Sequence, residues 1–152
     1  MSVHLRRYTA SDKSSVEHFE VFRDQAPFVE PILNILAMET GRDNFIIETD
    51  CLAVGFFQID HLSGLQSVEN HLELHEVSID RRQQGNGYGK AFIEALPNFL
   101  KLEYSNWRGV CLTVNCLNKA AKRLYEHGGF TDIGELKLEG SSGPQFIMRR
   151  DL

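Results

Sequence analysis

Three glycines at every second position, Gly85, Gly87 and Gly89, separate an apolar-alternating segment from a helical one in VSIDRRQQGNGYGKAF, residues 77–92. Such a junction suits an anion. Glycine lets a backbone approach a phosphate closely, and a helix N-terminus offers unpaired N–H groups with a partial positive charge. The spacing decides which phosphate ligand is meant. A P-loop, G-x-x-x-x-G-K-[ST], fails because position 84 is Gln and Lys90 is followed by Ala91. The dinucleotide fingerprint G-x-G-x-x-G fails too, since Lys90 stands three residues after Gly87 and the early βαβ context is missing. A plain surface turn is the alternative that the loop alone leaves open.

Groups able to move a proton stand nearby. LELHEVSI, residues 72–79, leads into the loop and carries Glu73, His75 and Glu76. A strand period of two predicts Glu73, His75, Val77 and Ile79 on one face and Glu76 on the other. All three also read as ordinary polar strand positions. Tyr125 falls beside Ala121 and Leu124 on the inner face of an amphipathic helical segment, where an aromatic commonly packs. Asn118 opens that segment and reads as its N-cap. Cys111 and Cys116 lack a His partner in the same helix–strand unit and read as small buried hydrophobes. With Cys51 they make three cysteines without C-x-x-C spacing, which points to a reducing compartment and to no disulfide framework or metal site.

The positioning elements follow from periodicity. VHLRRY (3–8) predicts a strand, and TASD supplies N-cap residues for a helix on which Val16, Phe19 and Phe22 recur. PFVEPILNILAME (27–39) predicts a second helix starting near Pro31. NFIIE and CLAVGFFQI, joined at Thr49 and Asp50, form a hairpin. After a polar loop and the strand 72–79, a helix runs from about Tyr88 to Glu103, with Pro97 expected to kink or break it. GVCLTVN (109–115) is a strand, NKAAKRLYEHGG (118–129) a helix, and FTDIGELKL and PQFIMRR two closing strands. The order β-α-α-β-β-β-α-β-α-β-β implies an α/β or α+β domain with a mixed sheet.

The 152 residues suit a single domain spanning 1–152, and 42% apolar with 24% charged residues is ordinary for a soluble protein. A net charge of −5 shows no basic footprint for nucleic acid. No run of about 18 apolar residues suggests a membrane span, and the first residues lack an apolar leader segment. A cytoplasmic protein is the simplest reading.

Gln84-Gly85-Asn86-Gly87-Tyr88-Gly89 follows Q-x-x-G-x-G, with Val77 and Ile79 ahead of it and Lys90 and Ala91 behind. This resembles the acetyl-CoA pyrophosphate loop of the GCN5-related N-acetyltransferases (GNAT). Asn118, Ala121, Leu124, Tyr125, Gly129 and Phe130 fall in register with the family's next block, N-x-x-A-x-x-x-Y followed by G-F. VGF (54–56) and the segment order match as well. The resemblance implies a mostly antiparallel sheet of about six or seven strands flanked by about four helices. It further implies acetyl-CoA as cosubstrate, wrapped by backbone N–H groups from Gln84 through Lys90, with Val77, Ile79, Asn118 and Ala121 as further contacts. Asn86 stands where a basic residue is common, leaving Arg82 and Lys90 to compensate.

Direct acetyl transfer to an amine is the reaction the resemblance implies. Tyr125 then stands near the sulfur as acid or hydrogen-bond donor, and Glu73, ahead of His75, falls where some members carry a base. Thr113 occupies the place of an alternative carboxylate on the next strand. The nearest likeness is to small bacterial spermine/spermidine (BltD-like) acetyltransferases. That implies a polyamine or other small amine as partner, with Glu30 and Glu76 as candidate substrate contacts, and a homodimer. A protein amine or an aminoglycoside as acceptor, or an acyl-CoA-binding module without turnover, stay open as alternatives.

Overall fold

The computed structural model describes residues 2–19, 32–38, 40–61, 68–138 and 143–152. Seven strands form one sheet: β1 (His4–Arg7), β2 (Asp43–Thr49), β3 (Leu52–Asp60), β4 (His71–Ile79), β5 (Gly109–Asn115), β6 (Thr131–Lys137) and β7 (Gln145–Asp151). Their spatial order is β1-β2-β3-β4-β5-β7-β6. Neighbours are antiparallel except β4 and β5, which run parallel. The helices are α1 (Lys13–Val16), α2 (Ile32–Ala37), α3 (Tyr88–Glu103) and α4 (Lys119–His127). Element order and fold class are those the sequence implies. No helix among the described residues is long and apolar enough to cross a membrane.

Both faces of the sheet centre are covered. On one, Phe45, Phe57, Leu72, Leu74 and Leu112 pack against Phe92, Ile93, Leu96 and Leu100 of α3. On the other, Ile46 and Phe56 meet Val16 of α1 and Ile32 and Ile35 of α2. A strand buried on both sides loses hydrophobic alternation, which is why β2 and β3 read as continuous apolar runs. The β2–β3 turn lies one residue later than expected. Thr49 pairs with Leu52, and the turn is Asp50–Cys51, both left-handed at φ +47 and +64. A two-residue turn with two positive φ values matches the twist of the flanking strands.

Pro97 does not break α3. The helix runs unbroken from Tyr88 to Glu103 with Pro97 inside it. An interior proline costs about 3 kcal/mol. Phe92, Ile93, Leu96 and Leu100 are all fully buried on the same helix. Each such side chain contributes roughly 1.5–3 kcal/mol, so together they outweigh the lost hydrogen bond. Packing wins.

A partly buried clamp ties β1 to the first helical turn. The Arg6 guanidinium donates to both Asp12 carboxylate oxygens at 2.8 Å and to Glu48 at 3.0 Å. Those bonds from Arg6 hold the Asp12 carboxyl down at about 2. A depressed carboxyl stabilises the fold above its unfolded value, and that contribution disappears as pH falls through the folded value. Between about pH 4 and 2 the protein should therefore lose roughly 2 kcal/mol through Asp12. Urea titrations of wild type and Asp12→Asn at pH 7 and pH 3 check this: the variant should be the weaker at pH 7, with the gap narrowing at pH 3. A gap independent of pH would refute it.

Candidate active site

The parallel β4–β5 pair holds only at one end. His71 pairs with Gly109, Leu72 with Val110 and Glu73 with Cys111, and the ladder stops there. Beyond it β4 carries a bulge. Phe56 faces Ser78 and Gln58 faces His75, so Glu76 and Val77 together stand opposite Phe57. Glu76 takes φ +56, a conformation that non-glycine residues hold only when their surroundings enforce it.

The bulge overturns the period-two expectation. Glu73 and His75 face the α1/α2 side, since their partners Asp60 and Gln58 follow Phe56 on that face while Phe57 and Ile59 point to the α3 side. Val77 and Ile79 instead pack with Leu72 and Leu74 on the α3 side. One extra residue shifts all later side chains to the other face.

Because β4 and β5 separate, a cavity of about 620 Å³ passes between them, lined by Leu74–Val77 of β4 and Leu112–Asn115 of β5. On the α3 side it is lined by Ile79, Gln83–Gly85, Gly87–Lys90, Asn118, Ala121, Leu124 and Tyr125. On the other side it is lined by Arg42, His75, Thr113, Lys137 and Gln145.

The glycine loop forms one wall. A 3-10 turn, Arg81–Gln83, follows β4, and buried Asp80 caps it by accepting from the Arg82 N–H. The Gln84 N–H donates to Arg81 O at 3.2 Å, and its side chain to Ile79 O at 2.9 Å. Main-chain donors for a ligand therefore start at Gly85. Gly85 and Gly87 take φ +83 and +82, where a Cβ is strained. The first bond of α3 runs from Ala91 N to Gly87 O at 3.1 Å. The N–H groups of Tyr88, Gly89 and Lys90 thus lack intrahelical acceptors. No acid occupies this first turn, and Lys90 adds a cation where the helix dipole already favours an anion. Arg82 is engaged elsewhere, donating to Asp80 at 2.9 Å and to His18 O at 3.2 Å.

α4 brings its own N-terminus to the same wall. The Asn118 side chain accepts from Ala121 N at 3.2 Å, the cap expected of it. Two turns on, Tyr125 is buried at 9% exposure, its ring edge-on to Phe130 at 5.8 Å. Burial pushes its phenol up to about 12.

A model of the GNAT acetyltransferase domain matches residues 41–132 of this chain. The chain belongs to the GNAT acetyltransferase family. This acetyltransferase is 31% identical over 158 residues to an uncharacterized N-acetyltransferase, YbbJ, of Bacillus subtilis, spanning 99% of this chain and 98% of that one. Among solved structures it shares its fold with a GNAT-family acetyltransferase of Bacillus anthracis (TM-score 0.75, 16% identity, 99% of this chain and 95% of that one). A spermidine N-acetyltransferase of Vibrio cholerae, solved with CoA and spermine, is similar as well (TM-score 0.74, 19% identity, 99% and 95%).

The remaining candidates divide by depth in this acetyltransferase. His75 lines the cavity, whereas Glu73 lies outside its lining with a side chain 6% exposed. Glu73 Oε2 approaches His75 Nε2 at 3.3 Å, within ion-pair distance but not aligned as a hydrogen bond. Asp60 completes this group: one ligand atom from each of Asp60, Glu73 and His75 lies within 4.8 Å of the others. It is the set among the described residues that could hold a metal ion. Burial first, then the nearby Glu73 charge, pushes the Cys111 thiol up to about 12, so it is a poor nucleophile. Glu76 lines the cavity, Asn86 stands outside its lining with its side-chain amide donating to Gln83 O at 3.0 Å, and Glu30 lies outside the described residues.

Arg42, Leu74, Lys137 and Gln145 are lining residues that periodicity missed. Gln58 carried a usable signal: a buried polar residue inside the run FFQI must meet a partner, and it meets Asn44 at 2.7 Å and Arg42 at 3.4 Å.

Proposed function

We propose that this acetyltransferase uses acetyl-CoA and moves the acetyl group directly to the primary amine of a small molecule. The observation that carries the reading is the cavity itself. It runs through the sheet from two helix N-termini to His75, past Tyr125. The donors of Gly85–Lys90, with φ-positive glycines clearing the approach, fit a pyrophosphate held at the mouth of α3. Bound there, acetyl-CoA would supply a thioester whose C–S bond breaks as the amine nitrogen forms the C–N bond. The chain's own residues then have a proton to collect and a hydrogen bond to offer. His75 receives the amine proton, directly or through water, and Glu73 behind it steadies the resulting imidazolium. Tyr125 offers its hydroxyl to the departing sulfur.

An alkylamine is about three units above neutrality, so presenting it neutral at pH 7 costs roughly 4–5 kcal/mol without a base. His75→Gln should lower kcat/KM roughly tenfold, because water can still carry the proton away. Its pH–rate profile should shift toward the amine's own deprotonation, and Glu73→Gln should shift it the same way by less. Profiles of both variants superimposed on wild type would sink these roles.

A polyamine as acceptor needs spaced carboxylates. Of the expected ones, Glu76 lines the cavity, Glu73 stands behind His75, and Glu30 lies outside the described residues. The spermidine enzyme of Vibrio cholerae supports the fold, not the substrate, at 19% identity. A small primary amine is therefore the reading the site supports, with spermidine one member of the panel that tests it.

A further inference from the structure

We infer that the acceptor amine carries a carboxylate, held by the Arg42 guanidinium on the face of the sheet away from the glycine loop. This rests on the acetyl-transfer reading above. Arg42 precedes β2, is half-buried, and lines the cavity with His75 and Glu76. Among the described residues, its side-chain hydrogen bond runs from Nη1 to the Gln58 amide oxygen, long at 3.4 Å and to a neutral group. Its main-chain N–H donates to Thr40 Oγ1 at 3.2 Å. No carboxylate among the described residues lies within ion-pair distance of it. By contrast, Arg6 is matched to Asp12 and Glu48, and Arg82 to Asp80.

The support behind Arg42 is built. Gln58 is buried at 1% exposure, and its amide nitrogen donates to Asn44 Oδ1 at 2.7 Å. That bond fixes the amide so that its oxygen faces Arg42. Asn44, Gln58 and His75 are direct partners across β2, β3 and β4, so this polar row ends beside His75. A guanidinium has five N–H donors in a planar fork suited to a carboxylate, and this one uses a single donor among the described residues.

The opposite wall carries the same sign. Lys137 pairs through Gln145 with Asn115 of β5, placing all three on the Arg42 face of the sheet. Lys137 lines the cavity too, and no acid among the described residues pairs with it. Glu76 is the acid in the described lining. Two cations against one acid repel a polycation and attract an amine that bears a negative group.

The test compares acceptors that differ only in that group. CoA release is measured with straight-chain amino acids from glycine upward, with their carboxamides and decarboxylated amines, and with spermidine. For wild type, kcat/KM for the best acid should exceed that of its carboxamide by about 10- to 100-fold, the range of a hydrogen bond to a charged group. Arg42→Met should bring the acid down to the level of the carboxamide, and Arg42→Lys should fall between, keeping the charge without the fork. Carboxamides or spermidine equal to the acids in wild type, or a preference surviving in Arg42→Met, would overturn the inference. Thermal shift by acetyl-CoA on each protein separates the two readings. Wild type without a shift overturns acetyl transfer and this inference together; a shift without preference for the acid overturns this inference alone.

Discussion

Gly87→Asp should give a folded protein that acetyl-CoA no longer stabilises. Wild type at about a hundredfold excess over Kd should gain roughly 2.7 kcal/mol, or about 5–10 °C in Tm for a chain of this size. The variant should gain nothing measurable. Gly87 caps α3 from the left-handed region, at φ +82 and ψ +12. Among residues with a side chain, Asn and Asp tolerate that region best, and Asp is also a favourable N-cap. The substitution is therefore mild for folding. It is severe for an anion, because it sets a carboxylate where the N–H groups of Tyr88, Gly89 and Lys90 converge. An unliganded Tm near that of wild type, with the ligand shift gone, is the expected pair of results. Equal shifts in both proteins would mean that the loop does not hold the coenzyme.

How the site could be read in advance depended on the range of the forces that build it. The glycine loop and the Asn118–Tyr125 segment were legible because their geometry is local: positive φ, helix start and cap are written within a few residues. The seven strands were legible as short apolar or alternating runs bounded by turn residues. The bulge at Glu76 was not. LELHEVSI continues a plausible period, and the break comes from pairing against β3, where Glu76 and Val77 share Phe57. The faces of Glu73 and His75 relative to Val77 and Ile79 followed that miss. Pro97 departs in the opposite direction: of the kink or break that local propensity argued for, the break does not occur, because burial of Phe92, Ile93, Leu96 and Leu100 overrides it. Arg42 lies in the polar stretch TGRDN, where nothing periodic marks it. It gains a place only when β2 and β3 pair and bring Gln58 beneath it.

Tyr125→Phe should lower kcat by about 10- to 1000-fold with little change in acetyl-CoA affinity, since it removes a donor wanted mainly in the transition state. The ring contact with Phe130 at 5.8 Å survives the change, so stability should move little. Burial also says what kind of donor this is. A phenol held at about 12 stays protonated throughout the working range. A thiol lies near 8.5, so complete proton transfer from such a phenol to the departing thiolate runs uphill. In the proposed role Tyr125 would therefore act by donating a hydrogen bond to the developing charge, with solvent supplying the proton that finally stays on sulfur. The ratio of wild-type to variant kcat should then be flat from about pH 6 to 10, because the hydroxyl keeps its proton over that whole span. Single-turnover rates at several pH values, where chemistry is isolated from product release, measure that ratio. A ratio near one would return Tyr125 to the role of a packed aromatic. A ratio falling steeply between neutrality and pH 9 would instead mean that the phenol ionises in the free enzyme and gives up its proton outright.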